Sequence, residues 1–320
     1  MRFFGKTNID FMGKRKTWYL VSAAVISLSI LATFTKGFHY GIDFLGGTEL
    51  IVEFSAPPDI GKIRTMMDQA GYSRSEIKQY GTASRVLIRT EHQEEGTVVG
   101  DKIKASLNQT FPDLHPTVLS TQKIGPKVGA ELRRNALLAV LTSLIAMGLY
   151  VAFRFEFIYG LGALVALFHD VIVALGFVCL FDGMTSFMNF EVDQNMIAAF
   201  LTIVGLSMND TVVILDRIRE NRKIYRSMGL AELINKSLNE TLSRTIITSG
   251  TVLLITVILF LFGGEVNRGF AFALTIGIIT GTYSSIYIAS AIALDYINRK
   301  QSKKSANVAS AGKPRYETVQ

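Results

Sequence analysis

Asn209 and Asp210 stand inside the apolar part of IVGLSMNDTVVILDRIREN, about a turn and a half before the charges that begin at Asp216. A carboxylate in hydrocarbon costs at least about 2.5–3.5 kcal/mol unless it is paired, protonated or hydrated, so one placed there points to proton or ion handling. On a helix Ile203 and Ser207 share its face on one side, and Ile214 and Arg217 on the other. Arg217 lies two turns on, about 10 Å along the axis, and pairing within the helix would be strained. Arg244, in TLSRTIITSGT, is a second candidate cation, with Thr248 and Thr251 continuing its face as a polar stripe. It could equally pair with Glu240 at i−4 and mark the lipid boundary. His169-Asp170 is the other ionisable pair in an apolar run. Its two readings are a second proton-handling or hydration site, which Asn209, Ser207 and Thr248 would extend, and a hydrogen-bonded pair packed between helices. Further on, GIITGTYSSIYIAS carries hydroxyls at Thr282, Ser284 and Ser285. Gly277 and Gly281 there form a GxxxG face that lets another helix approach closely.

The elements that must position these residues follow from composition. The chain has 320 residues, 49% hydrophobic and 18% charged, with mean hydropathy +0.33, which is too apolar for an ordinary soluble domain. Six runs reach membrane-spanning length: 18–35, 136–153, 157–181, 196–215, 246–262 and 269–294. The first is long for a signal-peptide core and leads into GFHYGIDFLGG without a small-x-small cleavage site, so it reads as a retained span. Arg2, Lys6, Lys14, Arg15 and Lys16 precede the first run, and seven lysines and arginines fall in 216–244. The segment 182–195 has none, and carries Asp182, Glu191 and Asp193. Six alternating spans with both termini cytoplasmic satisfy the positive-inside rule throughout. The net charge of +7 is therefore a topology signal and no nucleic-acid partner is implied. DRIRENRKIYR reads first as a solvated helix, with anionic lipid or a cytoplasmic partner as the alternative. Cys179 is the sole cysteine, which excludes an intrachain disulfide or a cysteine zinc site.

The sequence divides into a cytoplasmic N-terminus (1–17), a first transmembrane helix (18–36), a periplasmic domain (37–133), a five-helix remainder of the bundle (134–297) and a disordered cytoplasmic tail (298–320). The periplasmic segment reads β-α-β-β-α-β. TELIVEF is a strand, and DIGKIRTMMDQAG a helix capped by Asp59 and stopped by Gly71. IKQYG and RVLIRTE are two more strands, GTVVGDKIKASLNQTF a second helix and HPTVLSTQKI a closing strand. That order predicts a ferredoxin-like α+β domain. His92 and His115 lack partners at metal-ligand spacing and read as surface residues. GIDFLGG, with Gly41, Asp43, Gly46 and Gly47, has no following Lys-Ser/Thr and is not a P-loop; a structural turn is the simpler reading. Glycine at both chain crossings, 37–47 and 125–129, predicts hinges about which the domain moves, with GPKVGAELRR as the return linker.

GIDFLGG after the first span, FRFE ending at Glu156, ALFHD at 166–170, GLSMNDTVVILDRIREN, TLSRTIITSG and GTYSSIYIAS, in that order, resemble SecF. SecF is the smaller membrane subunit of the SecDF protein-export complex in the resistance-nodulation-division group. The resemblance covers residues 8–297. It implies an accessory subunit of the bacterial inner-membrane Sec machinery that uses the proton-motive force to promote late export and is not an enzyme. It implies SecD as partner, with the SecYEG translocon, YajC, YidC and unfolded preproteins around them. No cofactor is implied beyond the coupling ion, a proton or, as in some relatives, sodium. Asp210 and Arg244 match the family's charged residues of the proton pathway. Two other classes stay in view. An intramembrane aspartyl protease would use Asp170 and Asp210, although SMND differs from the GxGD such enzymes carry. A stand-alone ion-coupled small-molecule exporter would need two such halves.

Overall fold

A computed structural model describes the backbone of residues 7–311 except 74, 93–96, 156, 186 and 189. Six helices are long and apolar enough to cross a membrane: α1 (Arg15–Lys36), α5 (Pro126–Arg154), α6 (Phe157–Phe181), α7 (Gln194–Ile224), α8 (Leu230–Phe262) and a composite sixth span over Val266–Lys300. The sixth consists of α9 (Gly264–Ser284), a π-helical turn at Ser285–Ala289 and α10 (Ser290–Ala311). α7 and α8 run well past their apolar runs, to Ile224 and back to Leu230. The helical hydrogen-bond ladder continues into water, whereas hydropathy registers only the part in hydrocarbon.

α6 packs against α1, α5, α7 and α9, and α7 against α8 and α9. The core holds Leu167, Ala174, Phe200, Ile203 and Val204, while Leu254, Ile255 and Phe262 of α8 and Leu137, Leu141 and Ile145 of α5 face outward. At one end of the bundle residues 9–12 lie along α8. Asn239 donates to the Ile9 carbonyl (2.9 Å) and accepts from its N–H, and Asn235 Oδ1 accepts from Phe11 and Met12. Arg15 pairs with Asp295 of α10 at 2.9 Å at the same end.

The segment between α1 and α5 forms a separate domain at the other end. After the short turn α2 (Ile42–Leu45) come β1 (Gly47–Glu53), α3 (Ile60–Gln69), β2 (Glu76–Tyr80), β3 (Thr82–Thr90), α4 (Val98–Thr110) and β4 (Thr117–Ile124). The strands form one antiparallel sheet in the order β2-β3-β1-β4. Alternation decides its faces. Leu50 and Val52 of β1 oppose Ile88 and Val86 of β3, and all four are buried with Ile63, Met67, Ile103 and Leu107 of the two helices. Asp59 caps α3 by accepting from the Gly61 and Lys62 N–H groups. The other face presents Glu49, Ile51, Lys78, Leu87 and Arg89 toward the bundle.

Three features differ from the sequence reading. The expected linker GPKVGAELRR, 125–134, is the N-cap and first turns of α5, because Pro126 fits the first helical position and the residues after it favour helix. Gly129 packs there on Gly46, where an added Cβ would sit 3.1 Å from the Gly46 nitrogen and 3.2 Å from the Phe44 carbonyl. Gly46, at φ +74°, and Gly129 thus serve close contact between the two crossings. The tail expected without structure from 298 continues α10 to Ala311, since alanine, lysine and glutamine favour helix; residues 312–320 lie outside the described residues. Finally, α9 and α10 are joined by the π turn, which the glycine and hydroxyl pattern did not announce.

Candidate functional site

Asp210 sits in mid-α7 with 6% of its surface exposed. Its partners are hydroxyls of α8: Ser249 donates to Oδ2 at 2.6 Å and Thr248 reaches Oδ1 at 3.5 Å. Thr248 also donates to the Arg244 carbonyl at 2.9 Å, so its hold on the carboxylate is the weaker. Asp210 faces a cavity of about 50 Å³ between α7, α8 and α9, bordered also by Ser207, Asn209, Gly281 and Thr282. A water needs roughly 10–15 Å³ measured in this way, so the cavity has room for a few. A carboxylate held by hydroxyls and open to water can exist in both protonation states. This is the chemistry a proton site requires.

One turn back on α7, Ser207 donates at 2.6 Å to Asp170 of α6, which has no solvent exposure. The same Asp170 Oδ2 accepts from Ser284 at 2.8 Å, and Oδ1 lies 3.0 Å from His169 Nδ1. His169 Nε2 is 2.6 Å from the Tyr283 hydroxyl. Asp170 and Asp210 make no direct contact with each other, each being held by its own hydroxyls. The π turn explains how Ser284 and Ser285 both point inward. Its extra residue rotates the start of α10 relative to α9, and Ser285 then meets Thr211 at 2.7 Å while Ser290 donates to the Ser285 carbonyl.

Close approach of α9 to α7 rests on the GxxxG face: Gly277 packs on Ile203 and Gly281 on Ser207. A Cβ at Gly281 would lie 3.1 Å from that of Ser207 and 3.5 Å from Asp170 Oδ2. Gly281→Val should therefore destabilise the protein by about 1–3 kcal/mol through overpacking. A thermal-unfolding midpoint equal to that of the parent in detergent would refute this packing argument.

Arg244 is exposed on α8 and, among the described residues, forms no ion pair or hydrogen bond through its side chain with Asp210; its charge reaches that carboxylate only through space. Nor does it pair with Glu240, which is taken by Arg217 (2.6 Å), Asn221 (2.8 Å) and Lys236 (3.4 Å). Thr251 is turned toward the backbone carbonyl of Thr248. Ser249, the strongest partner of Asp210, was missed by the sequence reading, which followed the face of Arg244 and so passed one residue to its side.

The GIDFLGG residues lie away from this cavity, at the foot of the domain, yet they touch the helix that carries Asp210. Asp43 accepts from the Gln194 N–H at 3.1 Å, and Asp193 caps the same helix end by accepting from Met196 at 2.8 Å. Tyr40 and Val192 form a parallel bridge beside them. Above, Arg89 joins Glu49 (2.5 Å), Glu76 (2.9 Å) and Glu191 (2.6 Å), and Lys78 also pairs with Glu191. These pairs border a polar cavity of about 340 Å³ between sheet and bundle. Burial pushes the Glu191 carboxyl up, but Lys78 and Arg89 outweigh it and hold the group below its ordinary value. For Glu49 burial prevails over Arg89 and the carboxyl is pushed up.

Burial, together with the nearby Asp43 and Glu191 charges, pushes Asp193 up to about 6. A raised carboxyl binds its proton more tightly in the folded state, so the stability it contributes is present below its ordinary value of 3.8 and lost as pH rises through about 6. Asp193→Asn keeps a capping oxygen without the charge. The variant should match the parent at low pH and melt at a higher temperature than the parent above pH 6; equal melting temperatures at neutral pH would contradict the argument.

Two family models match this chain: "Protein export membrane protein SecD/SecF, C-terminal" over residues 102–299 and "SecD/SecF GG Motif" over 31–58. The chain is 44% identical over 304 residues to protein translocase subunit SecF of Rhodothermus marinus, covering 95% of this chain and 98% of that one. The chain belongs to the SecF family. A second SecF, from Vibrio alginolyticus, is 41% identical and covers 89% of both chains. The crystal structure of SecDF from Thermus thermophilus, titled a translocon-associated membrane protein, superposes with a TM-score of 0.78 at 38% identity over 91% of this chain and 39% of that one. The SecF chain thus spans about two-fifths of that SecDF. It is a multi-pass membrane protein with relatives that are protein translocase subunits. The adjacent glycines within 31–58 are Gly46-Gly47, where β1 begins beside α5.

Proposed function

We propose that this SecF-family chain works with SecD in the bacterial inner membrane and uses the proton-motive force to promote late steps of protein export, at the SecYEG translocon and alongside YajC and YidC, on unfolded preproteins. Both termini are cytoplasmic and the sheet domain, read as ferredoxin-like from its strand order, is periplasmic. The observation that carries the reading is Asp210, a carboxylate deep in the bundle, held by hydroxyls and facing a cavity with room for water. Such a group changes charge when a proton arrives from one side and leaves to the other. Ionised, the carboxylate draws Arg244 to it as counter-ion; protonated, it releases Arg244 and keeps the Ser249 and Thr248 hydroxyls as partners. Sodium in place of the proton is the variant of the same mechanism.

The domain foot supplies the mechanical side. Asp43 and Asp193 hold the N-terminus of α7, so a change at Asp210 and a displacement of the domain act on one helix. The test is preprotein translocation into inverted vesicles carrying or lacking this chain and SecD, with and without an imposed proton gradient. Stimulation should require both the chain and the gradient; export equally stimulated without a gradient would reject the coupling, and a sodium gradient acting in its place would change the ion. Topology is tested on a Cys179→Ser background with single cysteines at Ser73 in the domain and Arg226 between α7 and α8. An impermeant thiol reagent should label only Ser73→Cys from outside, and labelling of both would overturn the six-span orientation.

A further inference from the structure

We propose that Asp170 is a second proton-carrying carboxylate, served from the Asp210 cavity through the hydroxyl of Ser207. The inference rests on the proton-coupled reading of Asp210 and adds a route that branches from it into the centre of the bundle.

The geometry has three parts. Asp170 is closed off from solvent, yet a single hydroxyl separates it from the cavity: Ser207 borders that cavity and donates to Asp170 Oδ2 at 2.6 Å. A serine hydroxyl can accept one hydrogen while giving up another, which a methyl or an amide at this place could not do. Secondly, Oδ2 is crowded with donors, Ser207 and Ser284, and the second of these points inward at the join of α9 and the π turn. Such turns are uncommon and recur at functional sites. Thirdly, Oδ1 continues through His169 to Tyr283. With Nδ1–H donating to Asp170 and Nε2 accepting from the tyrosine hydroxyl, both ring nitrogens of His169 have a partner. The titratable groups facing Asp170 are then His169 of its own helix, Tyr283 of α9 beyond it, and Asp210 across Ser207 on α7; the α1 side contributes Trp18, packed on Tyr283 at 5.7 Å between ring centres.

The transfer balances without other reactants. A hydronium in the cavity gives its proton to Ser207 Oγ as the serine's own hydrogen moves onto Asp170 Oδ2. The serine ends neutral, the carboxylate becomes a carboxylic acid and a water remains. The acid then donates back toward Ser207, whose hydrogen now points into the cavity, and the reverse sequence releases the proton. Two carboxylates reached from one cavity can be filled in turn, Asp210 first and Asp170 behind it.

Infrared difference spectroscopy of the full chain in lipid vesicles, on a step from high to low pH, reads carboxylic-acid carbonyl bands directly. The parent should gain two such bands beyond those of carboxyls outside the bundle core, Asp193 and Glu49 among them. Asp210→Asn should remove one of them, and that loss judges the Asp210 reading by itself. Asp170→Asn, which keeps the shape and the hydrogen-bond partners, should remove the other and leave the Asp210 band in place. Ser207→Ala should delay or abolish the Asp170 band with the Asp210 band unchanged, and Ser207→Thr, which restores a hydroxyl, should restore it. Should Asp170→Asn fail to fold, the two Ser207 variants decide alone. If Asp170→Asn retains both bands, or if Ser207→Ala shows the Asp170 band with the parent's timing, the relay is overturned even where Asp210 titrates as proposed.

Discussion

Asp210→Asn should abolish the response of export to a proton gradient and leave a folded, membrane-inserted protein. The asparagine is nearly isosteric, and the Ser249 and Thr248 hydroxyls can still find an acceptor in its carbonyl oxygen. One hydrogen bond is rearranged at most, a net cost of about 0.5–1.5 kcal/mol, which a bundle of this size tolerates. What disappears is the change of charge. Moving one elementary charge through 100 mV is worth about 2.3 kcal/mol, a bias of roughly fiftyfold on a two-state element, and a permanently neutral side chain forfeits all of it. Asp210→Glu keeps the charge on a longer stem and should retain part of the response. Arg244→Lys keeps a cation but loses the planar fork, so it should lower stimulation without removing it. Translocation into vesicles with and without the gradient, compared for the three variants, checks the series. A full gradient response in Asp210→Asn reduces Asp210 to a packed polar residue.

Arg89→Ala carries the largest expected cost in stability. Its side chain is 8% exposed and pairs with Glu49, Glu76 and Glu191 together. Removing one partner of a buried ion pair leaves the other charges uncompensated, and the loss is on the order of 3 kcal/mol, eased here because Lys78 still pairs with Glu191. The pH dependence has a definite sign for Glu191. Its carboxyl is held below the ordinary 4.5, so the stabilisation is present above that value and is lost as pH falls through the lowered one. Parent and variant should therefore differ most near neutral pH and converge on acidification. Because Arg89 and Lys78 belong to the sheet and Glu191 to the segment before α7, the variant also loosens the domain from the bundle. Spin labels on β3 and α6 should show a broadened distance distribution in Arg89→Ala. A distribution as narrow as the parent's would mean that the contacts between Gly46, Phe44 and Gly129 hold the domain without the ion pairs.

Much of the architecture is local and could be read along the chain. Runs of apolar residues announce membrane helices because hydrocarbon allows no unsatisfied backbone. Alternation in TELIVEF and RVLIRTE announces strands, and Asp59 a helix start, because each depends on neighbours a few residues away. Asp210 was legible for the same reason: a carboxylate in an apolar run is conspicuous whatever surrounds it. The partner was not. Helical periodicity gives the face of α7 that Asp210 occupies, but which residue of α8 meets that face depends on how two helices are rotated and shifted against each other. A rotation of one residue separates the Thr248 and Arg244 face from Ser249. The Asp170 cluster shows the limit more sharply. Its hydroxyl donors come from residues 37 and 114 positions away, on α7 and at the join of α9 and α10. The π turn that faces Ser284 and Ser285 inward arises where α6, α7 and α9 pack, so no single stretch of sequence carries it. Arg89 likewise alternates onto the open face of its sheet for local reasons, and only the docking of that face on the segment before α7 makes Glu191 its partner. Sequence by itself determined the elements, their order and the rare charge in the membrane, since these follow from short-range sterics and solvation. The tertiary structure decided which groups meet, because hydrogen bonds and ion pairs act over about 3 Å and depend on the fitting of helices distant in the chain.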